Sequence, residues 1–198
     1  MNGPAHLARR LAEGEAALFP TDTLPALAAR PESAALLWRL KQRPADKPLI
    51  LMGADLPQLI EALGVPWQQP WIEQAWRSWP GAVTLVLPIA GALTTHLHPG
   101  GNSLGLRVPA CERARELLRL SGPLATTSAN RSGEPPATTA AEAARQFPTL
   151  SLLEPLPWPA GSGQASTVLA WREAEQGTTN PWDVLRPGAT VAPGPGGA

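Results

Sequence analysis

The sequence predicts one α/β domain, and three observations support this fold class. Short apolar runs typical of buried strands alternate with segments of helical apolar spacing. A chain of 198 residues fits one domain with a sizeable core. No internal repeat or linker divides it before a stretch of Pro, Gly and Ala at its end. We therefore expect a single domain over residues 1–190 and a flexible tail over residues 191–198.

The elements follow in order along the chain. A first helix is expected over 5–12, because its apolar spacing is helical and Gly14 suits a helix C-terminus. The apolar run 16–19 is typical of a buried strand that ends at Pro20. Apolar spacing and β-branched content assign the remaining elements in the same way. We expect further helices over 31–40, 56–63, 71–79, 112–120 and 139–147, and further strands over 49–52, 83–87, 103–108, 123–127, 150–153, 166–171 and 183–186.

Composition excludes several classes of protein. The 16 basic and 16 acidic residues cancel, which argues against a strongly basic nucleic-acid surface and leaves a local patch open. No run approaches the roughly 20 apolar residues of a membrane span, and the segment around Arg9 and Arg10 does not resemble a signal peptide. We therefore expect no membrane association and a cytoplasmic location. Cys111, the single cysteine, cannot form an intrachain disulfide, and a structural thiol is favoured over a nucleophile.

The two lysines of the chain lie close together. Lys41 and Lys47 flank Arg43 at the end of the helix expected over 31–40. Three cations in one loop could surround a polyphosphate through charge-assisted hydrogen bonds, although a solvated helix end is also consistent with them. Neither a P-loop nor a Gly-rich dinucleotide motif is present, so any nucleotide site must be built otherwise.

A polar loop follows the strand expected over 123–127. Thr126, Ser128 and Asn130 lead into Gly133, and such a loop offers hydroxyl and backbone N–H donors to phosphate or carboxylate oxygens. A simple polar turn is the alternative. Together with the lysine loop, it predicts a site for a polyphosphate nucleotide.

Arg107 is a charged residue in an otherwise apolar strand. Such a residue needs a partner, which could be a structural carboxylate or an anionic ligand such as an amino-acid carboxylate. Both interpretations remain open at this stage. For His96 and His98 a surface loop is favoured over a metal site, because no third ligand stands at a telling spacing. The tryptophans of 67–79 are expected in the core or at a partner surface rather than stacked on bases.

Taken together and in order, these motifs resemble the YrdC-like family, the threonylcarbamoyl-AMP synthases, over about residues 5–190. The resemblance implies an α/β fold with a twisted, mixed, open sheet, flanking helices and a concave cationic cleft. The matching segments are 20–23, 41–44 with 47–49, 80–81 with 84–87, 107–109, 127–130 with 132–133, 166–168 and 185–188.

The resemblance also implies a reaction, in which L-threonine, bicarbonate and ATP give threonylcarbamoyl-AMP and pyrophosphate. Partner proteins then use the product to modify an adenosine of tRNA. No protein nucleophile is needed, so the protein positions the reactants and stabilises charge. Mg²⁺ is expected to enter with ATP, without an evident carboxylate cage. The implied ATP-binding residues are Lys41, Arg43, Lys47, Ser103, Ser128, Asn130 and Arg186, of which Lys41, Arg43, Ser128 and Asn130 form the catalytic set; the implied L-threonine-binding residues are Thr23, Arg107, Thr126 and Ser166.

The chain departs from the pattern of the resemblance mainly on the amino-acid side. Pro25 replaces part of a Val-Tyr-Gly-like run, and Met52 stands where many relatives have histidine; Pro136 and Ala170 also differ. One alternative is therefore a non-catalytic paralogue that binds nucleotide or double-stranded RNA. Another is a carbamoyl-adenylate step in metalloenzyme maturation, a role normally carried by much longer chains.

Overall fold

The computed structural model describes residues 2–44, 47–172 and 180–190. Within them, helices flank one mixed sheet of nine strands. The helices are α1 (Pro4–Ala12), α2 (Ala35–Lys41), α3 (Leu56–Leu63), α4 (Gln69–Ser78), α5 (Ala92–Leu97), α6 (Glu112–Ser121) and α7 (Ala140–Gln146), with a 3₁₀ turn at Pro31–Ser33. The strands are β1 (Ala17–Phe19), β2 (Ala26–Ala29), β3 (Ile50–Met52), β4 (Val83–Leu87), β5 (Leu104–Arg107), β6 (Leu124–Ser128), β7 (Ser151–Leu152), β8 (Thr167–Trp171) and β9 (Trp182–Arg186).

The strands lie in the order β7-β1-β2-β6-β3-β5-β4-β8-β9. Three neighbouring pairs are parallel, namely β7 with β1, β3 with β5, and β4 with β8. The other five pairs are antiparallel. The expected α/β class, with a mixed open sheet and flanking helices, is confirmed.

Side chains alternate between two cores, one on each face of the sheet. On one face Phe19 packs with Leu7 of α1 and Leu117 of α6. On the other face Leu18 packs in the larger core, which includes Leu37 of α2. The first face continues across β6, β3 and β5, where Thr126 and other side chains line an open cleft.

Local chemistry explains both ends of α3. The carboxylate of Asp55 accepts a hydrogen bond of 2.9 Å from the backbone N–H of Gln58 and so caps the start of α3. Gly64 ends the same helix with φ 60°, in the left-handed region that glycine adopts without a steric cost.

Every predicted helix and strand is present within two residues of its expected bounds, with one partial exception. The segment 31–40 divides into the 3₁₀ turn and α2. The prediction missed β2 and α5. β2 reads Ala-Leu-Ala-Ala, and alanine is depleted in strands, whereas α5 is a short helix that begins after Gly91. The expectation of a loop at His96 was wrong because this residue lies in α5.

Two further expectations concern membrane-spanning helices and the tail. None of the helices in the described ranges has the length and apolar character needed to cross a bilayer. The tail expected over residues 191–198 lies outside the described residues.

Candidate functional site

The cleft opens on the face of β6, β3 and β5 that α1 and α6 leave uncovered. It has a volume of about 320 Å³ and falls within the usual size range of ligand pockets. Eight of the eleven residues assigned to the site by resemblance line it, and Lys41, Lys47 and Ser103 do not. The lining residues are Thr21, Thr23, Leu24, Pro25, Ala26, Arg43, Pro48, Ile50, Met52, Arg107, Thr126, Thr127, Ser128, Asn130, Pro136, Ala165, Ser166 and Arg186.

The charged residues of the lining are arginines. Arg43 follows α2, Arg107 ends β5 and Arg186 ends β9, so three separate parts of the chain each bring a guanidinium to the cleft. No aspartate or glutamate belongs to this lining. Guanidinium groups suit carboxylate and phosphate oxygens, which they bind in a forked geometry.

Arg107 is held on several sides. Its Nη2 donates to Oδ1 of Asp22 at 2.8 Å, its Nη1 donates to Oγ1 of Thr23 at 2.8 Å, and its Nε donates to the carbonyl of Gly81 at 3.1 Å. Its exposed fraction is 4%. Burial lowers the pKa of Arg107, and the nearby charge of Asp22 acts in the opposite direction. The structural-carboxylate interpretation of Arg107 is therefore confirmed, and Arg107 still lines the cleft.

Asp22 lies outside the lining but holds Arg107, and sequence reasoning did not identify it as the partner. The same Oδ1 that accepts from Arg107 also accepts from the backbone N–H of Ala110 at 3.0 Å. Asp22 therefore links the turn after β1 to the segment after β5. The sequence signal that could have identified Asp22 was its position between Thr21 and Thr23, in the segment 20–23 that matches the family pattern.

Thr126 reaches the cleft from β6, and Ser166 reaches it from the position just before β8. Oγ1 of Thr126 donates to the carbonyl of Ile50 at 3.2 Å, and Oγ of Ser166 lies 2.8 Å from Oγ1 of Thr84. Arg186 donates from Nη2 to the carbonyl of Ser166 at 2.9 Å, which holds its side chain against β8. Burial lowers the pKa of Arg186.

Lys41 faces a loop of the protein. Its Nζ donates to the carbonyls of Ser128 at 2.6 Å and Asn130 at 2.5 Å, and to Oδ1 of Asn130 at 3.1 Å. Its exposed fraction is 3%. Burial, and to a smaller extent the charge of Arg43, lowers the pKa of Lys41 to about 8. Lys41 thus fastens the end of α2 to the polar loop after β6.

The polar loop after β6 is also organised from within. Oγ of Ser128 donates to Oδ1 of Asn130 at 2.6 Å, and Nδ2 of Asn130 donates to the carbonyls of Arg131 and Glu134. The backbone N–H of Ser132 donates to the carbonyl of Lys41 at 2.8 Å. Both Ser128 and Asn130 line the cleft. The hydrogen bonds of Lys41 to their carbonyls therefore hold this part of the cleft wall in position.

The backbone carbonyl of Lys47 is bonded to side chains of α2 and of the residues that follow it. The carbonyl of Lys47 accepts from Nε1 of Trp38 at 2.8 Å and from Nη2 of Arg43 at 3.0 Å, while the side chain of Lys47 is exposed. Ser103 lies just before β5, and its carbonyl is 2.9 Å from Nδ1 of His98. Lys47 and Ser103 are therefore not brought into the lining of the cleft.

The residues around the cleft do not fit a protein-held Mg²⁺. A protein usually holds Mg²⁺ through one or two carboxylates, and the lining described above contains no carboxylate. Over the described ranges, no group of three or more His, Cys, Asp and Glu residues could hold a metal ion. Any Mg²⁺ would have to be held by phosphates of a nucleotide and water.

Comparison with known proteins gives consistent results. The model of the Sua5/YciO/YrdC family, described as "Telomere recombination", matches residues 9–188. A protein named threonylcarbamoyl-AMP synthase from Idiomarina loihiensis is 38% identical, over 65% of this chain and 72% of the relative. One of the same name from Sodalis glossinidius is 34% identical, over 91% of this chain and 88% of the relative.

The fold is similar to that of a solved structure with a bound amino acid. Sua5 from Pyrococcus abyssi complexed with L-threonine superposes with a TM-score of 0.82 and 32% identity, over 93% of this chain. The superposition covers 54% of the P. abyssi chain, so this chain spans about half the length of that protein.

Proposed function

The chain belongs to the Sua5/YciO/YrdC family, and on this basis we propose that it is a threonylcarbamoyl-AMP synthase. It converts L-threonine, bicarbonate and ATP to threonylcarbamoyl-AMP, pyrophosphate and water. The observation that supports this most strongly is the cleft itself, in which three arginines and a polar loop meet without a lining carboxylate. Relatives at 34% and 38% identity carry the same name.

The amino acid binds at the end of β5. The carboxylate of L-threonine pairs with Arg107, whose guanidinium is already oriented by Asp22 and Thr23. These contacts use three of the five N–H groups of an arginine. Thr126 and Ser166 complete this part of the site, and the preorganised guanidinium of Arg107 reduces the entropy lost on binding.

The nucleotide binds between the segment after α2 and the loop after β6. Arg43 and Arg186 bind phosphate oxygens, and Ser128 and Asn130 form the polar wall next to them. Lys41 supports this wall through the carbonyls of Ser128 and Asn130.

The reaction needs positioning and charge stabilisation rather than a protein nucleophile. The threonine amine attacks the carbon of bicarbonate, which loses water and leaves a carbamate. A carbamate oxygen then attacks the α-phosphorus of ATP, and the bond to pyrophosphate breaks. Holding both reactants in one cleft makes the attack effectively unimolecular, and the arginines stabilise the charge that develops on the phosphates. The product is passed to partner proteins that modify tRNA.

A pyrophosphate assay tests this function. The purified protein is incubated with ATP, bicarbonate and L-threonine, and the expected result is pyrophosphate release with a product of the mass of threonylcarbamoyl-AMP. Omission of bicarbonate is the control and abolishes both signals. The absence of pyrophosphate in the complete mixture would refute the proposal. The non-catalytic alternative is not favoured by the relatives, which carry the name of the synthase.

A matched pair of variants tests the nucleotide half of the cleft. Arg43→Ala should raise KM for ATP by about tenfold or more, because a hydrogen bond to a charged group contributes roughly 1.5–3 kcal/mol. Arg39→Ala is the control, since Arg39 is an exposed residue of α2 outside the lining. Equal KM values for the two variants would remove Arg43 from the ATP site.

A further inference from the structure

One side of Arg107 is apolar. Met52 pairs with Arg107 in the register of β3 and β5, so both side chains leave the sheet on the same face. Neighbouring strands lie about 4.8 Å apart, so the two side chains start from adjacent positions of the sheet. Met52 is 3% exposed and lines the cleft. The turn that holds Thr23 against Arg107 continues with three apolar lining residues, 24–26.

The other side of Arg107 is polar. Leu85 of β4 pairs with Leu106 of β5, so Thr84 and Arg107 occupy the next positions of these antiparallel strands. The hydroxyl of Thr84 is bonded to that of Ser166. A ligand whose carboxylate is bound at Arg107 therefore has a polar neighbour towards β4 and an apolar one towards β3.

The hydroxyls of the turn have no proton left for a ligand. Oγ1 of Thr21 donates to the carbonyl of Leu24 at 2.7 Å. The 2.9 Å bond between Thr21 and Thr23 must then use the proton of Thr23, and Thr23 also accepts from Arg107. In the same way Thr126 donates to the carbonyl of Ile50. Thr127 also lines the cleft, but its side chain leaves β6 on the opposite face from that of Thr126, at the position paired with Leu27.

We propose that the amino-acid subsite accepts L-valine nearly as well as L-threonine, with Met52 as the residue that determines this tolerance. The polar amine of the substrate lies towards Thr84 and Ser166, and its side chain lies against Met52 and residues 24–26. An apolar pocket discriminates weakly between isosteres that differ by a hydroxyl, whereas a pocket that hydrogen-bonds the hydroxyl rejects the analogue strongly. This inference rests on the proposed function and names the substrate class of the same site.

Competing amino acids test the inference directly. With ATP and bicarbonate, kcat/KM for L-valine should lie within about tenfold of the value for L-threonine. L-Serine, which lacks the methyl group, should fall by roughly 10- to 200-fold. Pyrophosphate release gives the rates, and the mass of the carbamoyl-adenylate identifies the amino acid used. A preference of more than about 100-fold for L-threonine over L-valine would overturn the inference.

Two variants of similar volume assign the effect to Met52. Met52→Gln introduces an amide that can hydrogen-bond a substrate hydroxyl, and it should raise the threonine-to-valine ratio of kcat/KM by about tenfold or more. Met52→Leu keeps the wall apolar, and its ratio should stay within about threefold of the original. Only the ratio is compared, so a change in overall rate or stability does not obscure the result. Equal ratios in the two variants would remove Met52 from this role.

A binding measurement separates failure of this inference from failure of the proposed function. If no amino acid releases pyrophosphate, the synthase proposal fails. Calorimetric titration of L-threonine and L-valine in the presence of α,β-methylene-ATP and bicarbonate then tests the subsite alone. Dissociation constants within about tenfold of each other support the inference. Binding of L-threonine without L-valine, or of neither, refutes it.

Discussion

Lys41 should make the free energy of unfolding rise with pH in the range from about 8 to 10.5. Its pKa is lowered from an ordinary value of 10.5 to about 8 in the folded protein, mainly by burial. Below pH 8 both the folded and the unfolded chain carry the proton, so Lys41 adds no pH dependence. Between the two pKa values the unfolded chain binds a proton that the folded chain does not, and the unfolding free energy therefore increases with pH.

The expected size of this effect follows from the pKa shift. A lowering from 10.5 to about 8 corresponds to a gain of at most about 3 kcal/mol by pH 10.5. The background is favourable for the measurement, because the chain contains no tyrosine and only one other lysine. Its eight tryptophans provide a fluorescence signal for urea unfolding.

The assay compares three proteins across this pH range. The difference in unfolding free energy between the unmodified chain and Lys41→Met should grow from pH 8 upwards and level off near pH 10.5. Lys47→Met is the matched control, because the side chain of Lys47 is exposed, and it should keep the full rise. A constant difference between the unmodified chain and Lys41→Met at every pH would refute the assignment of a depressed pKa to Lys41.

Three further changes have expected outcomes. Arg107→Lys should raise KM for L-threonine by about tenfold or more, because an ammonium cannot keep the forked contacts of the guanidinium. KM for ATP should stay within about threefold. Steady-state kinetics in which both KM values rose together would contradict this prediction. Gly161→Ala should lower the unfolding free energy by about 1–3 kcal/mol, because the Cβ of the new alanine would meet the carbonyl of Thr23. Gly3→Ala is the control, because nothing lies within 4 Å of a Cβ at that position. Equal melting curves for the two variants would count against the packing argument. Asp55→Ala should cost about 1 kcal/mol through loss of the α3 cap, and Asp55→Asn, which keeps a capping oxygen, should recover most of it in urea titrations.

Local sequence patterns predicted most of the elements because their signals lie within a few residues. The apolar spacing of 56–63 and the β-branched run of 83–87 each match an element with the same bounds. β2 was missed because its strand character comes from its partners. It pairs with β1 on one side and β6 on the other, and these contacts outweigh the weak strand preference of alanine.

The site was predictable as a set of motifs but not as a set of contacts. The clustering of lysines directed attention to the segment 41–47, yet the orientation of Lys41 depends on carbonyls 87 and 89 positions away. The two interpretations of Arg107 could not be separated for the same reason, since Asp22 precedes it by 85 positions. Such pairings are created by the strand order, which the local pattern does not contain.

The strand order also has a consequence for biosynthesis. The four strands at the centre of the cleft lie side by side as β2, β6, β3 and β5, although β6 is the last of them to leave the ribosome. Until β6 emerges, β2 and β3 lack the strand that joins them, and the backbone edges of both are open to other partners. The walls of the cleft at Ser166 and Arg186 emerge later still. A nascent chain that stops before these residues has a partial sheet without a complete cleft, so ligands can stabilise the protein only after Arg186 has emerged.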